Sequence, residues 1–191
     1  GKDNIIKLSS NENSYGPSPK VLDYINKSET LLNSHRYPSI DGIELREKIA
    51  ITHNLDVNRI ILGCGSDETL LFAALAFCQD GDEIIHAKHG FEMYSIITKI
   101  VGATSKLIEE NTNYIIDVDS ILQQVTPSTK IIYLANPNNP TGTYLSKNEI
   151  NNLRKKLASN ILLVIDDAYF EFMDQNDFFS TELCGGTHVR N

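Results

Sequence analysis

Long hydrophobic runs are missing from this chain. Nowhere does it hold the roughly 18 consecutive apolar residues of a membrane-spanning helix, and no charged-then-apolar leader opens it. No membrane association is therefore expected. Gly1 rather than Met stands first, so a preceding segment is expected. Basic stripes are missing too: 17 Lys and Arg face 25 Asp and Glu, a formal net charge of −8. Nucleic acid and anionic surfaces are thus not expected as partners. An anionic ligand has to be held locally, by backbone amides or a few placed cations. Cysteine is scarce: Cys64, Cys78 and Cys184 are odd in number and far apart, which makes no disulfide framework. A reduced, cytoplasmic protein is the expectation. Internal repeats and low-complexity linkers are absent as well.

What remains is an ordinary globular composition, 41% hydrophobic and 22% charged over 191 residues, enough for one sizeable core. The opening stretch from Lys7 to Pro19 is polar and turn-rich and reads as an extended arm. Helical spacing starts after Pro19, and a second amphipathic helix runs from Ile43 to Ile51. Strand and helix then alternate. Apolar strands are expected at Ile60–Leu62, Glu83–Ala87, Thr104–Ile108, Lys130–Ala135 and Ile161–Ile165. Helices are expected at Thr69–Phe77, Met93–Val101, Val118–Val125 and Ser146–Leu157, the last signed by a Ser146/Glu149 capping box. The pattern dissolves past about Asp174. Short apolar strands separated by helices mean an α/β fold, a mostly parallel sheet with helices on both faces. Ligands of such sheets bind beyond the carboxyl ends of the strands. The residues just past each strand are therefore the informative ones.

After the first expected strand comes Gly63-Cys64-Gly65-Ser66-Asp67-Glu68. Two glycines permit a tight turn, and the free amides of a first helical turn make an anion site. Plain helix capping explains the same residues. After the second comes His89-Gly90-Phe91, where a ring could stack on a flat ligand or simply pack at a helix start. His86 and His89 have no third partner at ligand spacing, so no metal site is expected. The stretch after the strand ending at Ala135, Asn136-Pro137-Asn138-Asn139-Pro140-Thr141-Gly142, carries more turn specification than a bland loop needs. Asp166 closes the last buried strand. A carboxylate there is costly without a positive partner, and no Lys or Arg follows closely, which makes a ligand cation the natural partner. Asp167 can be read equally as a cap of the next turn.

Taken together, these segments resemble the fold-type I pyridoxal-phosphate aminotransferases. Asn136 to Gly142 is similar to their NPNNPTG motif, and Asp166-Asp167-Ala168-Tyr169 to their D-x-A-Y. Asn11-Glu12-Asn13, Tyr37-Pro38, Gly65 to Glu68 and His89-Gly90-Phe91 look most like the histidinol-phosphate branch of that family. The match runs in order from about Lys7 to about Asp174.

The resemblance implies transamination between L-histidinol phosphate and 2-oxoglutarate, with pyridoxal 5′-phosphate as cofactor. Alternative activities are those of an aromatic-amino-acid aminotransferase or a threonine-phosphate decarboxylase-like enzyme. Another is no catalysis at all, in a truncated or chimeric product. It implies that backbone around Ser66, Asp67 and Glu68 holds the cofactor phosphate and that Phe91 stacks on the ring. Asn139 and Tyr169 would hydrogen-bond the phenolic oxygen, and Asp166 would pair with the pyridinium nitrogen. Tyr37 would reach the cofactor of the other subunit in a homodimer, while Asn13 and Tyr15 would cover the substrate.

The family also uses a Schiff-base lysine several dozen residues beyond D-x-A-Y. No lysine follows Lys156, and Lys147 is rejected because it opens a capped helix. The expectation is therefore a truncated large domain, inactive by itself: arm and helix over 1–42, partial cofactor-binding domain over 43–177, foreign-looking tail over 178–191. That tail, with Cys184 and His188, resembles the CGGTH segment of alanyl-tRNA synthetase editing domains. Two ligands cannot close a tetrahedral zinc site, so no metal is expected there.

Overall fold

The computed structural model describes residues 10–13, 15–27, 33 and 35–173. Cys184, His188 and the rest of the 178–191 tail lie outside the described residues. The chain divides into two compact units, one up to Gly42 and the other from Ile43 onward.

In the first unit, helix α1 (Pro19–Lys27) follows a turn built by Asn13. The Asn13 carboxamide accepts from the Tyr15 amide at 3.0 Å and donates to the Gly16 carbonyl at 3.0 Å. Asx turns of this kind let a short polar segment satisfy its own backbone. No residue of α1 is buried.

The second unit opens with α2 (Ile43–His53) and a short 3₁₀ turn at Val57–Arg59, which Asp56 caps from its side chain. Then come α3 (Ser66–Phe77), β1 (Glu83–Ala87), α4 (Met93–Ile100), β2 (Thr104–Ile108), α5 (Val118–Gln124), β3 (Thr129–Ala135), α6 (Lys147–Lys156) and β4 (Leu162–Asp166). The Ser146/Glu149 capping box is present: the Ser146 hydroxyl accepts from the Glu149 amide, and the Glu149 carboxylate accepts from the Ser146 amide at 2.8 Å. Asp117 caps α5 from its side chain, accepting from the Ser120 amide at 2.7 Å.

All four strands pair in parallel, in the order β2-β1-β3-β4. Side chains alternate faces along each strand. On β3, Ile131, Tyr133 and Ala135 join Leu70, Ala74, Tyr94 and Ile97 from α3 and α4. Ile132 and Leu134 face the other way, onto Ile121, Ile150 and Leu153 from α5 and α6. Helices thus cover both faces, as an apolar parallel sheet requires.

This order contains a topological switch. The connection from β1 through α4 leads to β2 on one side, whereas β3 connects through α6 to β4 on the other. Chain segments leaving the carboxyl ends of β1 and β3 therefore diverge, and a crevice opens between them. His89-Gly90-Phe91 and Asn136 to Gly142 are the segments at that point.

One expected strand is not there. Ile60–Leu62 is irregular, and Ile61 is 77% exposed. Apolar residues alone do not make a strand, because a strand needs a ladder partner for its amides and carbonyls, and no described strand pairs with this stretch. Stability measurements should register the difference. Ile132, fully buried, should cost about 3 kcal/mol when replaced by Ala, whereas Ile61→Ala should stay within about 0.5 kcal/mol. Urea unfolding checks this, and equal costs would place Ile61 in a packed strand after all.

Candidate active site at the carboxyl edge of the sheet

The segment after β3 is fastened on several sides. The Asn136 side chain spans the loop, accepting from the Leu145 amide at 2.7 Å and donating to the Leu145 carbonyl at 3.0 Å. Its own amide donates to the Asp166 carbonyl at 3.0 Å, so β3 and β4 stay joined to the edge. Asn138 donates to the His89 carbonyl at 3.0 Å and to the Thr141 hydroxyl at 2.8 Å, which ties the loop after β3 to the loop after β1. The peptide bonds before Pro137 and Pro140 are cis. Asn139 is half-buried beside this scaffold, its carboxamide donating to the Tyr169 hydroxyl at 3.5 Å.

Asp166 ends β4, directly beside Ala135 in the register, with only 4% of its surface exposed. One carboxylate oxygen accepts from the Tyr94 hydroxyl at 2.8 Å, the other from the Ala168 amide at 3.2 Å. Among the described residues, no Lys, Arg or His forms an ion pair with it. Burial pushes its carboxyl above the usual range, the Tyr94 and Ala168 donors work against that, and the charge of Asp67 adds to the rise.

Asp167 is buried as well, and its Oδ2 has no hydrogen-bond partner among the described residues. Burial, followed by the Asp166 charge, raises its carboxyl to about 7.

The turn before α3 has Gly65 at φ +82°, with open space where a Cβ would stand. No side chain caps the helix at Gly65, so its first-turn amides have no capping side chain. Glu68 folds back to accept from the Cys64 amide at 2.6 Å and shapes the turn. That assigns Glu68 a backbone-holding role which the sequence alone did not suggest. Phe91 is half-buried and meets the Tyr94 ring edge-on at 5.7 Å.

The structure thus brings Phe91 to Asp166 through Tyr94, and Asn139 to Tyr169 just beyond the same strand end, while Ser66 and Asp67 open α3 in the same unit. Asn13, Tyr15 and Tyr37 belong to the first unit, where Tyr15 is 98% and Tyr37 100% exposed. Lys147 is exposed in the first turn of α6. Sequence reasoning missed Tyr94 and Tyr133. A tyrosine three residues after Phe91, and another alternating with isoleucines on β3, were the available signals.

Comparison with known proteins agrees with this architecture. Residues 3–189 match the family described as aminotransferase class I and II. The chain belongs to that family. It is 48% identical over 177 residues to the histidinol-phosphate aminotransferase of Ruegeria pomeroyi, a match that covers 93% of this chain and 48% of that protein. To the enzyme of the same name from Paramagnetospirillum magneticum it is 47% identical over 178 residues, again 93% of this chain and 48% of the relative. The chain therefore spans about half the length of these relatives. In fold it is similar to the crystal structure of histidinol-phosphate aminotransferase from Sinorhizobium meliloti in complex with pyridoxal-5′-phosphate. The TM-score is 0.82 at 22% identity, over 88% of this chain and 45% of that one.

The raised Asp167 carboxyl predicts a pH dependence. A carboxyl that holds its proton longer in the folded than in the unfolded state makes stability fall as pH rises. The window runs from the ordinary value of 3.8 to about 7, and stability levels off above it. At about 1.4 kcal/mol per unit, the full loss is on the order of 4 kcal/mol. Asp167→Asn should flatten most of that slope and raise the urea midpoint at pH 8, leaving a smaller slope from Asp166. An unchanged slope between pH 4 and 8 would sink this account of Asp167.

Proposed function

We propose that this chain carries part of the pyridoxal 5′-phosphate site of an aminotransferase acting on L-histidinol phosphate and 2-oxoglutarate, in histidine biosynthesis. The observation that carries the reading is Asp166: a buried carboxylate at the sheet edge that lacks a cation among the described residues. A carboxylate accepts from roughly four lone-pair positions, and two donors occupy two of them. Room remains for an N–H of a bound ring, and a ligand cation would relieve the burial that now disfavours the anion.

The other residues fit the same group. The amides at Ser66 and Asp67, with the Ser66 hydroxyl, suit a phosphate at a helix start. The Asp67 and Glu68 carboxylates must stay turned from it, and Glu68 is held by the Cys64 amide. Phe91 offers a ring face, while Asn139 and Tyr169 offer donors to a phenolic oxygen. When bound, pyridoxal 5′-phosphate supplies an electron-accepting ring that stabilises charge at a carbon attached to it. Asp166 keeps the proton on the ring nitrogen that makes this possible.

Substrate identity rests on the relatives at 47–48% identity, both named histidinol-phosphate aminotransferase. Tyr37 is assigned to the phosphate of a second subunit's cofactor in a homodimer, and its full exposure supports a role toward another chain. Asn13 and Tyr15 are assigned to the substrate. A cytoplasmic enzyme suits a biosynthetic activity, and no described helix is long and apolar enough to cross a membrane.

Titration of the purified chain with pyridoxal 5′-phosphate, followed by absorbance, tests the reading. Binding should weaken more than tenfold for pyridoxal lacking the phosphate. It should weaken by a similar factor in Asp166→Asn, on the scale of one charge-assisted contact. L-Histidinol phosphate should perturb the bound ring's absorbance at lower concentration than L-phenylalanine does. Equal binding of pyridoxal and its phosphate would defeat the cofactor assignment, and an L-phenylalanine preference would favour the aromatic-amino-acid reading.

A further inference from the structure

Behind Asp166 stands a buried tyrosine pair that the family motifs do not mention. Tyr94 on α4 and Tyr133 on β3 are 0% and 1% exposed. Their rings stack at 5.0 Å with only 6° between planes. The Tyr133 hydroxyl donates to the Leu70 carbonyl in α3 at 2.7 Å, which pins one end of the stack to the helix that begins at Ser66. The Tyr94 hydroxyl donates to Asp166 at 2.8 Å and pins the other end to the last residue of β4. Phe91 closes against the Tyr94 ring edge-on at 5.7 Å. A ring enclosed on this many sides cannot swing its hydroxyl elsewhere without opening the core.

We propose that Tyr94 is the positioning residue for Asp166: its hydroxyl, fixed by the Tyr133 stack, holds the carboxylate oriented for the ring nitrogen of a bound pyridine-type ligand. The inference rests on the cofactor reading given above and deepens it. Every buried tyrosine needs an acceptor, so the bond alone could be structural. Two features favour positioning. The acceptor is a carboxylate at the site rather than a backbone carbonyl, which already serves Tyr133 equally well. The stack also links four elements, α3, α4, β3 and β4, so Asp166 is referenced to α3 at Leu70 as well as to its own strand.

The groups that bear on Asp166 are Asp67 from α3, the Ala168 amide and Tyr94 from α4, while the Asp166 charge in turn bears on Asp167 beyond the strand end. His86 of β1 lies past the Tyr94 ring, at 6.1 Å between centroids. Of these, Tyr94 favours the anion, helped by the Ala168 amide, while burial and Asp67 oppose it. Removal of one hydroxyl should therefore be felt at the carboxylate itself.

The test uses the whole chain and the variant Tyr94→Phe, which keeps the stack and deletes the donor. In the ligand-free chain, carbon NMR of the Asp166 carboxyl should show its titration moving up by about one unit, a tenfold change in its proton affinity. With pyridoxine 5′-phosphate as probe, the ring nitrogen should lose its proton at a pH lower by a similar amount than in the parent. Added to Asp166→Asn, Tyr94→Phe should have little further effect on the probe, because the two act as one unit. A parent-chain readout is independent of variant folding: the Tyr94 hydroxyl proton should exchange slowly and shift as Asp166 titrates. An Asp166 titration unmoved by Tyr94→Phe, additive effects in the double variant, or a hydroxyl proton indifferent to Asp166 would each overturn the proposal. Failure of the parent to bind the probe would instead refute the cofactor reading, while the ligand-free arm still decides the Tyr94–Asp166 coupling.

Discussion

A carboxylate buried at the end of an apolar parallel strand is the constraint on which this architecture turns. Placing Asp166 there costs several kcal/mol unless donors and a positive partner accompany it. Among the described residues the surroundings supply donors and no ion-pairing cation: a phenol from α4, an amide from its own turn, and a neighbouring strand whose Asn136 amide fastens the backbone. Much of the core on the α3/α4 face follows from that requirement. Tyr94 has to be buried to reach Asp166, Tyr133 has to lie flat against Tyr94, and Leu70 has to present its carbonyl to Tyr133. The aromatic stack is thus both a hydrophobic layer and the path by which the sheet edge is aligned.

The switch between β1 and β3 explains why separate segments meet at this edge. Parallel strands all deliver their carboxyl ends to one side, and the diverging connections leave a gap that loops must line. The loop after β3 fills it with short polar side chains whose hydrogen bonds run across the gap, notably Asn138 to the His89 carbonyl. Such bonds give the loop the rigidity of a secondary-structure element. They also explain a carboxamide-rich sequence between two prolines, since aliphatic residues there could not satisfy the backbone groups left open by the turn.

Most of the frame was legible from residue patterns. Four apolar runs between turn signals are strands in the structure, within a residue or so of their expected limits, and the Ser146/Glu149 signature is a capping box. Ile60–Leu62 shows where such reading stops, because a triplet of apolar residues reports hydrophobicity and not whether a neighbour exists to pair with. The motif residues at the edge were legible for a related reason: glycine, proline and asparagine betray backbone demands locally. Tyr94 was not. Its partner is 72 residues away, and a tyrosine on an amphipathic helix looks the same whether its hydroxyl meets a carboxylate, a carbonyl or water. The hold of Glu68 on the Cys64 amide was hidden for a similar reason, since an acid in a first helical turn suits the dipole whichever group it finally meets.

Two adjacent carboxylates, Asp166 and Asp167, are both buried, and the charge of Asp166 makes ionisation of Asp167 harder. Two neighbouring anions in so little water are disfavoured, so near neutral pH the pair tends to share a single negative charge. Which residue carries it depends on the donors. Asp166 has a phenol and an amide, whereas one oxygen of Asp167 has no partner among the described residues. The charge therefore settles on Asp166, and Asp167 keeps its proton up to about 7. A cation bound at Asp166 reinforces the same distribution: it holds the first carboxylate ionised, and part of its field reaches the second. The neutral neighbour in turn leaves Asp166 less repelled than a second anion would. A strand end with two acids can in this way present one well-defined negative charge, provided the hydrogen-bond donors are unequal.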